Sequence, residues 1–319
     1  MDSNSVETLA PLEPVAAENP VRPISRRRFL ASGVGSCAGL ALYSGEIERH
    51  WIEVTPLEIQ LPGLPSAFDG FKIVQLSDIH LDEFTEPSLL RSSIDRINRL
   101  RPDIVLLTGD FVSYEISPRK FSLKSAWQCA EMLSQLKCPE RYAVLGNHDH
   151  WLSGDEVTRA LTAHGIPVLT NSHVPMVRQG SRIWVAGIDD PVCGRPDPET
   201  AVPASIRNPE EPVILMCHAP DYADDLMARP VGKSISLMLS GHTHGGQVRL
   251  PFAGALQLPP GGRKYVEGLF RLGSMQLYVN RGIGTVGIPF RFACPPEITS
   301  ITLRSSAGQP PSSRKWWRA

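Results

Sequence analysis

The stretch FKIVQLSDIH, residues 71–80, decides the fold of this 319-residue chain. Its first six residues are mostly apolar and predict a short buried strand, and the polar Asp78 and His80 follow at once. A helix is predicted next, because leucine and isoleucine recur at helical spacing until Pro102 stops the pattern. The stretch therefore begins a unit of strand, polar loop and helix.

The same unit recurs along the chain. Further apolar runs predict strands at 104–107, 142–145, 213–216 and 235–239, and another amphipathic helix is predicted at 156–164. The polar residues that follow these four runs are Asp110; Asn147, His148 and Asp149; His218; and His242 and His244. Short apolar strands of this kind predict a sheet buried on both faces, whose ligands bind at the carboxyl ends of the strands. We therefore expect these polar side chains to meet at one sheet edge.

The donor atoms at this edge indicate a metal site. They include at least three carboxylates, one amide and four imidazoles, and a protein core could not hold so many ionisable groups unpaired without metal ions. Imidazole and carboxylate donors without a thiolate suit manganese, iron or zinc better than a closed structural zinc site. So many ligands predict two divalent metal ions.

Taken in order, these motifs resemble the calcineurin-like metallophosphoesterase superfamily over roughly residues 71–303. The resemblance implies an α/β fold, a four-layer αββα sandwich of two mixed sheets, in one domain at 51–304. It also implies a partition of the ligands, in which Asp78, His80 and His244 hold one ion, Asn147, His218 and His242 hold the other, and Asp110 bridges both.

The chemistry that the resemblance implies is phosphodiester or phosphomonoester hydrolysis, with a metal-bridging hydroxide as the nucleophile. His148 resembles the residue that stabilises or protonates the leaving group, and Asp149 is placed to orient it. A plainer interpretation makes His148 a hydrogen-bonding residue behind the ligands. Arg281 is a candidate for contacting the substrate phosphate, because its guanidinium fork matches phosphate oxygens, although it could equally be an ordinary surface charge. His150 is predicted to be a solvated or capping residue.

The N-terminal region has the layout of an export signal. Residues 1–23 predict a disordered leader, and 305–319 predict a disordered tail. Between 24 and 45, the run from Ser25 through Arg26, Arg27 and Arg28 precedes an apolar segment, which is typical of a twin-arginine signal or a membrane tether. The apolar segment is too short for a membrane span of about 20 residues. We expect export by the twin-arginine machinery to the periplasm or the outer face of the cytoplasmic membrane, as in the exported bacterial phosphodiesterase branch that the leader resembles.

Charge narrows the choice of partner. A formal net charge of -1 gives no basic surplus for binding a nucleic acid polymer, so a small phosphate ester or a lipid-linked phosphate is expected. One alternative is cleavage of the pyrophosphate in a nucleotide-activated lipid such as UDP-diacylglucosamine, although that substrate is made in the cytoplasm. Another is a catalytically silent metal-binding or sensing protein, which the complete ligand set disfavours.

Overall fold

The computed structural model describes residues 25–81, 84–114 and 119–305, and the chain divides into two units between Leu40 and Ala41. The predicted leader at 1–23 and the predicted tail beyond Ser305 lie outside the described residues. Helix α1, Arg26–Leu42, runs through the described part of the first unit and has every residue exposed. Within the described residues, no helix is both long enough and apolar enough to cross a membrane.

The second unit alternates strands and helices. Its helices are α2 Pro87–Leu100, α3 Arg119–Leu133, α4 Asn147–Ala163, α5 Pro198–Ala201 and α6 Tyr222–Met227. Its strands are β1 Glu53–Leu61, β2 Lys72–Leu76, β3 Ile104–Leu107, β4 Glu140–Ala143, β5 Ser172–Arg178, β6 Ser181–Gly187, β7 Val213–Met216, β8 Ile235–Ser240, β9 Arg249–Leu250, β10 Gly254–Ala255, β11 Gly268–Leu272, β12 Met275–Val279 and β13 Glu297–Ser305. The predicted central strands are therefore present.

Two large mixed sheets organise this unit. The first has five strands in the order β1-β13-β2-β3-β4, and the second has six in the order β11-β12-β8-β7-β6-β5. Strands β2, β3 and β4 run parallel to one another, as do β6, β7 and β8, whereas β13 is antiparallel to β2. The carboxyl ends of the parallel strands in each sheet therefore lie at one edge.

The two sheets pack against each other and carry helices on their outer faces. Ile73 and Leu106 of the first sheet pack with Ile214 of the second sheet in the layer between them. Because side chains alternate along a strand, Val74 and Val105 turn to the other face, where they pack with the apolar residues of α2, α3 and α4. Residues of α5 and α6 cover the outer face of the second sheet. The predicted four-layer sandwich of two mixed sheets is confirmed.

Helix α4 begins earlier than predicted. The sequence pattern predicts a helix from Glu156, but the structure has α4 starting at Asn147, with a break at Ser153, where the backbone is extended. The polar residues 147–150 therefore form the first turn of a helix and not a loop. This turn fixes the direction of two candidate site residues, Asn147 and His148.

Candidate metal centre

Seven buried polar side chains lie at the carboxyl edge of the two sheets. They are Asp78, His80, Asp110, Asn147, His218, His242 and His244, and none is more than 5% exposed. Three of them, Asp78, His80 and His244, have donor atoms within 4.8 Å of one another. His80 Nε2 and His244 Nε2 are 3.0 Å apart, and His244 Nε2 is 3.5 Å from Asp78 Oδ1. This first group can hold one metal ion.

A second group adjoins the first through Asp110. Donor atoms of Asp110, His218 and His242 also lie within 4.8 Å of one another. Asp110 Oδ2 is 3.2 Å from His218 Nε2 and 3.6 Å from His80 Nε2, so the carboxylate lies between the two groups. Asn147 is held beside them because the amide of its neighbour His148 donates to Asp110 Oδ1 at 2.9 Å.

The backbone at these residues is strained. Asp78, His80 and Asp110 have φ values of 48°, 47° and 56°, in the left-handed region that non-glycine residues rarely occupy. His242 at 73° and His244 at 51° share this feature. Strained residues of this kind persist where the surrounding structure holds them, and they cluster at active sites and ligand clamps. The strain therefore supports a functional role for the five residues.

The donor atoms fit metal ions. Asn147 Oδ1 is buried and has no hydrogen-bond partner among the described residues, an arrangement that is costly unless a ligand completes it. His218 Nε2 is buried and faces the Asp110 carboxylate at 3.2 Å. The other ring nitrogen of each histidine is occupied, with His218 Nδ1 2.6 Å from Thr108 O and His242 Nε2 2.8 Å from Pro260 O. Such second bonds fix the tautomer and direct the remaining nitrogen toward a metal ion.

The charge states of the side chains also suit metal binding. Burial lowers the pKa of His242 to about 4 and holds the pKa values of His80 and His244 well below the usual range, so these imidazoles are neutral ligands. Burial opposes ionisation of Asp110, but nearby His218 holds the pKa of its carboxyl well below the usual range. The same carboxylate raises the pKa of His218 despite burial.

His148 lies beside the two groups with a defined orientation. Its donor atom lies within 4.8 Å of those of His80 and Asp110, and its ring packs edge-on against Trp151 at 4.8 Å between centroids. The Tyr114 amide donates to His148 Nδ1 at 3.4 Å. Because Nδ1 accepts this bond, Nε2 is the ring nitrogen that carries a hydrogen.

Asp149 has a different role from the predicted one. Sequence analysis placed it to orient His148, but its carboxylate accepts hydrogen bonds from the amides of Asp110, Phe111 and Gly146 at 2.8–2.9 Å. No hydrogen bond among the described residues joins it to the His148 ring. An acidic residue at the third position of a helix commonly reaches back to the capping amide, and here it also holds the Asp110 loop. Asp149 therefore positions Asp110.

Arg281 is not available as predicted. Its guanidinium lies 3.0 Å from Glu297 and 2.8 Å from Glu53, with Glu267 at 4.0 Å. These carboxylates neutralise the charge of Arg281 and occupy its donors, so binding of a substrate phosphate would require these ion pairs to break. The contact of Arg281 with a substrate phosphate stays a prediction.

Two residues that sequence analysis overlooked adjoin the centre. Arg291 is fully buried and makes five hydrogen bonds to the carbonyls of Arg281, Gly282, Gly284 and Cys294. Asp190 is also fully buried, and one of its carboxylate oxygens has no hydrogen-bond partner among the described residues. Burial raises the pKa of Asp190, and the charge of His218 partly offsets this rise. Asp190 follows strand β6, so its position after an apolar strand was a usable signal. Arg291 lies in an irregular loop, and no sequence pattern marked it as a candidate.

We expect Arg291 to support metal binding through His244. Gly284 O, which accepts from Arg291 at 2.6 Å, also lies 3.3 Å from His244 Nδ1. Loss of such a supporting contact typically weakens metal affinity by about 10- to 100-fold, and we expect this for Arg291→Gln. Chelator competition would measure the affinity, with the exposed Arg271→Gln as the control. An unchanged affinity in a folded Arg291→Gln protein would contradict the role.

His150 is paired, where sequence analysis predicted a solvated or capping residue. Its Nε2 lies 2.8 Å from Asp189 Oδ1, and this hydrogen bond raises the pKa of His150. Burial alone would raise the pKa of Asp189, but the bond to His150 helps to lower it below its usual value. The contribution of His150 to the free energy of unfolding is complete below its unfolded pKa near 6.5 and is lost as pH rises through its folded pKa. The Asp189 contribution is lost only as pH falls below about 4.

We therefore expect His150→Gln to lower the free energy of unfolding more at pH 5.5 than at pH 9. The difference should be about 1 kcal/mol or less, because both side chains keep some contact with water. Urea unfolding at the two pH values measures it, and His164→Gln is a control outside the pair. Equal losses for His150→Gln at both pH values would rule out the charged pair.

Comparison with known proteins gives consistent matches. A family model described as calcineurin-like phosphoesterase matches residues 71–246. The chain is 38% identical over 296 residues to the uncharacterised metallophosphoesterase YkuE of Bacillus subtilis, covering 90% of this chain and all of that protein. It is 32% identical over 287 residues to the phosphodiesterase YaeI of Escherichia coli, covering 88% and 99%. It is 28% identical over 311 residues to the UDP-2,3-diacylglucosamine pyrophosphatase LpxG of Chlamydia trachomatis, covering 81% and 91%.

Proposed function

The chain belongs to the calcineurin-like phosphoesterase family of metal-dependent phosphoester hydrolases, and from this premise we propose that it cleaves phosphodiesters at a centre of two divalent metal ions. The observation that carries the proposal is the position of Asp110 between two groups of buried donors. One carboxylate that faces both groups is the arrangement that a shared ligand of two ions requires.

The ligands divide between the ions as the family resemblance implies. Asp78, His80 and His244 would hold one ion, Asn147, His218 and His242 the other, and Asp110 both. When bound, two such ions lower the pKa of water toward neutrality and stabilise the charge on the phosphoryl oxygens. Manganese, iron and zinc all suit this donor set of oxygen and imidazole nitrogen.

The proposed role of His148 is to stabilise the leaving oxygen by a hydrogen bond from Nε2. Its Nε2 carries the proton, since Nδ1 accepts from the Tyr114 amide. His80 and Trp151 pack against the edges of its ring and hold it in place. This hydrogen bond would stabilise the negative charge that develops on an alkoxide leaving group.

A diester is favoured over a monoester. Arg281 is neutralised by glutamates, and Arg291 is buried with its donors on backbone carbonyls, so neither supplies a guanidinium to a dianionic phosphate. A diester carries one negative charge and needs less compensation. The similarity to YaeI, which is named a phosphodiesterase, points the same way.

Turnover of two soluble esters tests the proposal. We expect kcat/KM of the metal-loaded protein to be higher for bis-p-nitrophenyl phosphate than for p-nitrophenyl phosphate. A preference for the monoester would contradict the diesterase assignment. Metal uptake with no turnover of either ester would favour the catalytically silent binding protein.

A second candidate substrate is a nucleotide-activated lipid such as UDP-diacylglucosamine. The similarity to LpxG, which is named a pyrophosphatase of that lipid, supports it. Release of UMP from the lipid in mixed micelles, at a kcat/KM above that for the soluble diester, would move the assignment to pyrophosphate cleavage.

We also propose export by the twin-arginine machinery, with the enzyme outside the cytoplasm and α1 as signal or tether. The support is the run of Arg26, Arg27 and Arg28 before an uncharged apolar segment. We expect the double variant Arg26→Lys, Arg27→Lys to remain in the cytoplasm on cell fractionation, whereas Arg28→Lys, outside the twin pair, is exported normally. Export of the double variant would contradict the pathway.

A further inference from the structure

Large apolar side chains are exposed on three segments that adjoin the metal centre, and we call them the apolar rim. The rim consists of Tyr43, Ile47, Leu250, Phe252, Leu256 and Ile288. Phe252 is fully exposed at the turn between β9 and β10, and Leu256 is 60% exposed. Single exposed apolar residues are common, but six on adjoining segments mark a surface that contacts something apolar.

The three segments form one continuous part of the surface. The Arg249 amide donates to Phe292 O at 2.9 Å, which joins the β9–β10 hairpin to the loop that contains Ile288. The ring of Tyr43 packs edge-on against Phe292 at 6.4 Å between centroids. The Arg291 amide donates to Ser44 O at 3.0 Å and ties the 43–47 turn to the same loop.

The rim adjoins the metal centre through two short connections. His244 is followed by two glycines and Gln247, whose side chain donates to Ile288 O at 3.1 Å. The loop that contains Ile288 also contains Gly284, whose carbonyl lies 3.3 Å from His244 Nδ1. A surface that covers the rim would therefore lie beside the segments that hold His244.

Charges near the rim do not favour an acidic or basic partner. Arg249 is paired with Glu267, and Arg291 is buried on backbone carbonyls, so neither presents a positive charge. Glu46, between Tyr43 and Ile47, is exposed. A surface that is apolar but not basic fits insertion among acyl chains better than attraction to anionic head groups.

The segment that precedes the rim in the sequence is also apolar and exposed. From Phe29 to Leu42, helix α1 contains no charged residue, and its apolar side chains are exposed. Leu42 is bonded directly to Tyr43, the first residue of the rim. A lipid surface that takes up α1 would therefore meet the first residue of the rim at the end of that helix.

We propose that the apolar rim inserts into the surface of a lipid bilayer and holds the metal centre at the lipid–water interface. This rests on the proposed attachment of α1 to a membrane, and it does not depend on which ester is cleaved. The occupant is the acyl region of the bilayer, and the rim supplies contacts that α1 alone would lack.

Position-specific quenching tests the contact in the full-length chain. Phe252→Trp and, as a matched control, Val177→Trp on the edge strand β5 would be mixed with phosphatidylcholine and phosphatidylglycerol vesicles that have brominated acyl chains. Val177 is an exposed apolar residue on a strand outside the rim. We expect a loss of fluorescence from Trp at 252 beyond that of the native tryptophans, and no added loss from Trp at 177.

Partitioning of charged variants gives a second measurement. We expect Phe252→Glu to weaken vesicle partitioning by about tenfold or more, since burying a phenylalanine contributes a large share of apolar binding, whereas Val177→Glu should have no effect. Three results would overturn the rim proposal. The first is vesicle binding without added quenching at 252, which would leave α1 as the only membrane contact. The second is no vesicle binding at all, which would also exclude the tether. The third is rim-dependent dimerisation in sedimentation, which would make a second copy of the chain the partner of the rim. None of these results bears on hydrolysis of a soluble ester.

Discussion

Replacing Gly146 by alanine is expected to abolish phosphodiester hydrolysis while the protein stays folded. A Cβ at this position would lie 2.2 Å from Asp110 Oδ1 and 2.7 Å from His218 Nε2, both far inside contact distance. The φ of Gly146 is -107°, which any residue adopts, so the effect comes from displaced ligands and not from backbone strain. Because a displacement of about 1 Å can cost 100-fold in rate, we expect a loss of at least about 100-fold.

Metal content and unfolding measurements separate this effect from misfolding. Gly146→Ala should bind metal more weakly and unfold cooperatively when metal-free. Gly35→Ala is the control, since a Cβ there meets nothing within 4 Å. Normal activity and normal metal content in Gly146→Ala would show that Asp110 and His218 are not ligands in this arrangement.

Replacing His148 by alanine is expected to lower kcat by about 10²- to 10⁴-fold for a diester with an alcohol leaving group. The loss should be smaller for bis-p-nitrophenyl phosphate, because nitrophenolate departs without a proton. Metal content should be unchanged, since His148 is not among the proposed ligands. His164→Ala is the matched control at the end of α4, where the ring lies near Trp127 and not at the centre.

The difference between the two leaving groups carries this prediction. A histidine that only supports the ligands would lower both rates equally and reduce metal content as well. Equal losses on the two diesters would therefore contradict the assignment of His148 as the residue that stabilises the leaving oxygen.

The position of the site could be predicted from the sequence because the end of a strand can be recognised from a short local pattern. Asp78, His218 and His242 each follow an apolar run directly, and parallel strands bring such ends together whatever the loops do. The mixed topology was not visible in the same way. Strand β13 lies between β1 and β2 although it is far from both in the sequence, and no local pattern specifies that pairing.

Side-chain partners were predicted less well than positions. Asp149 is next to His148 in sequence, but on a helix neighbouring residues point in different directions, so its carboxylate turns back to the Asp110 loop. Arg281 pairs with Glu53, which is remote in the sequence. Arg291 has an ordinary sequence context, and only the folded loop shows that its guanidinium holds four carbonyls.

The most direct test of the central claim is the number of metal ions that restore activity. The chelator-stripped protein would be titrated with manganese while bound metal and hydrolysis of bis-p-nitrophenyl phosphate are followed together, beside Asp110→Asn. We predict that activity rises to its maximum as two ions bind per chain, and that Asp110→Asn binds fewer ions and stays inactive. Full activity with a single bound ion, or full activity in the stripped protein, would contradict the account.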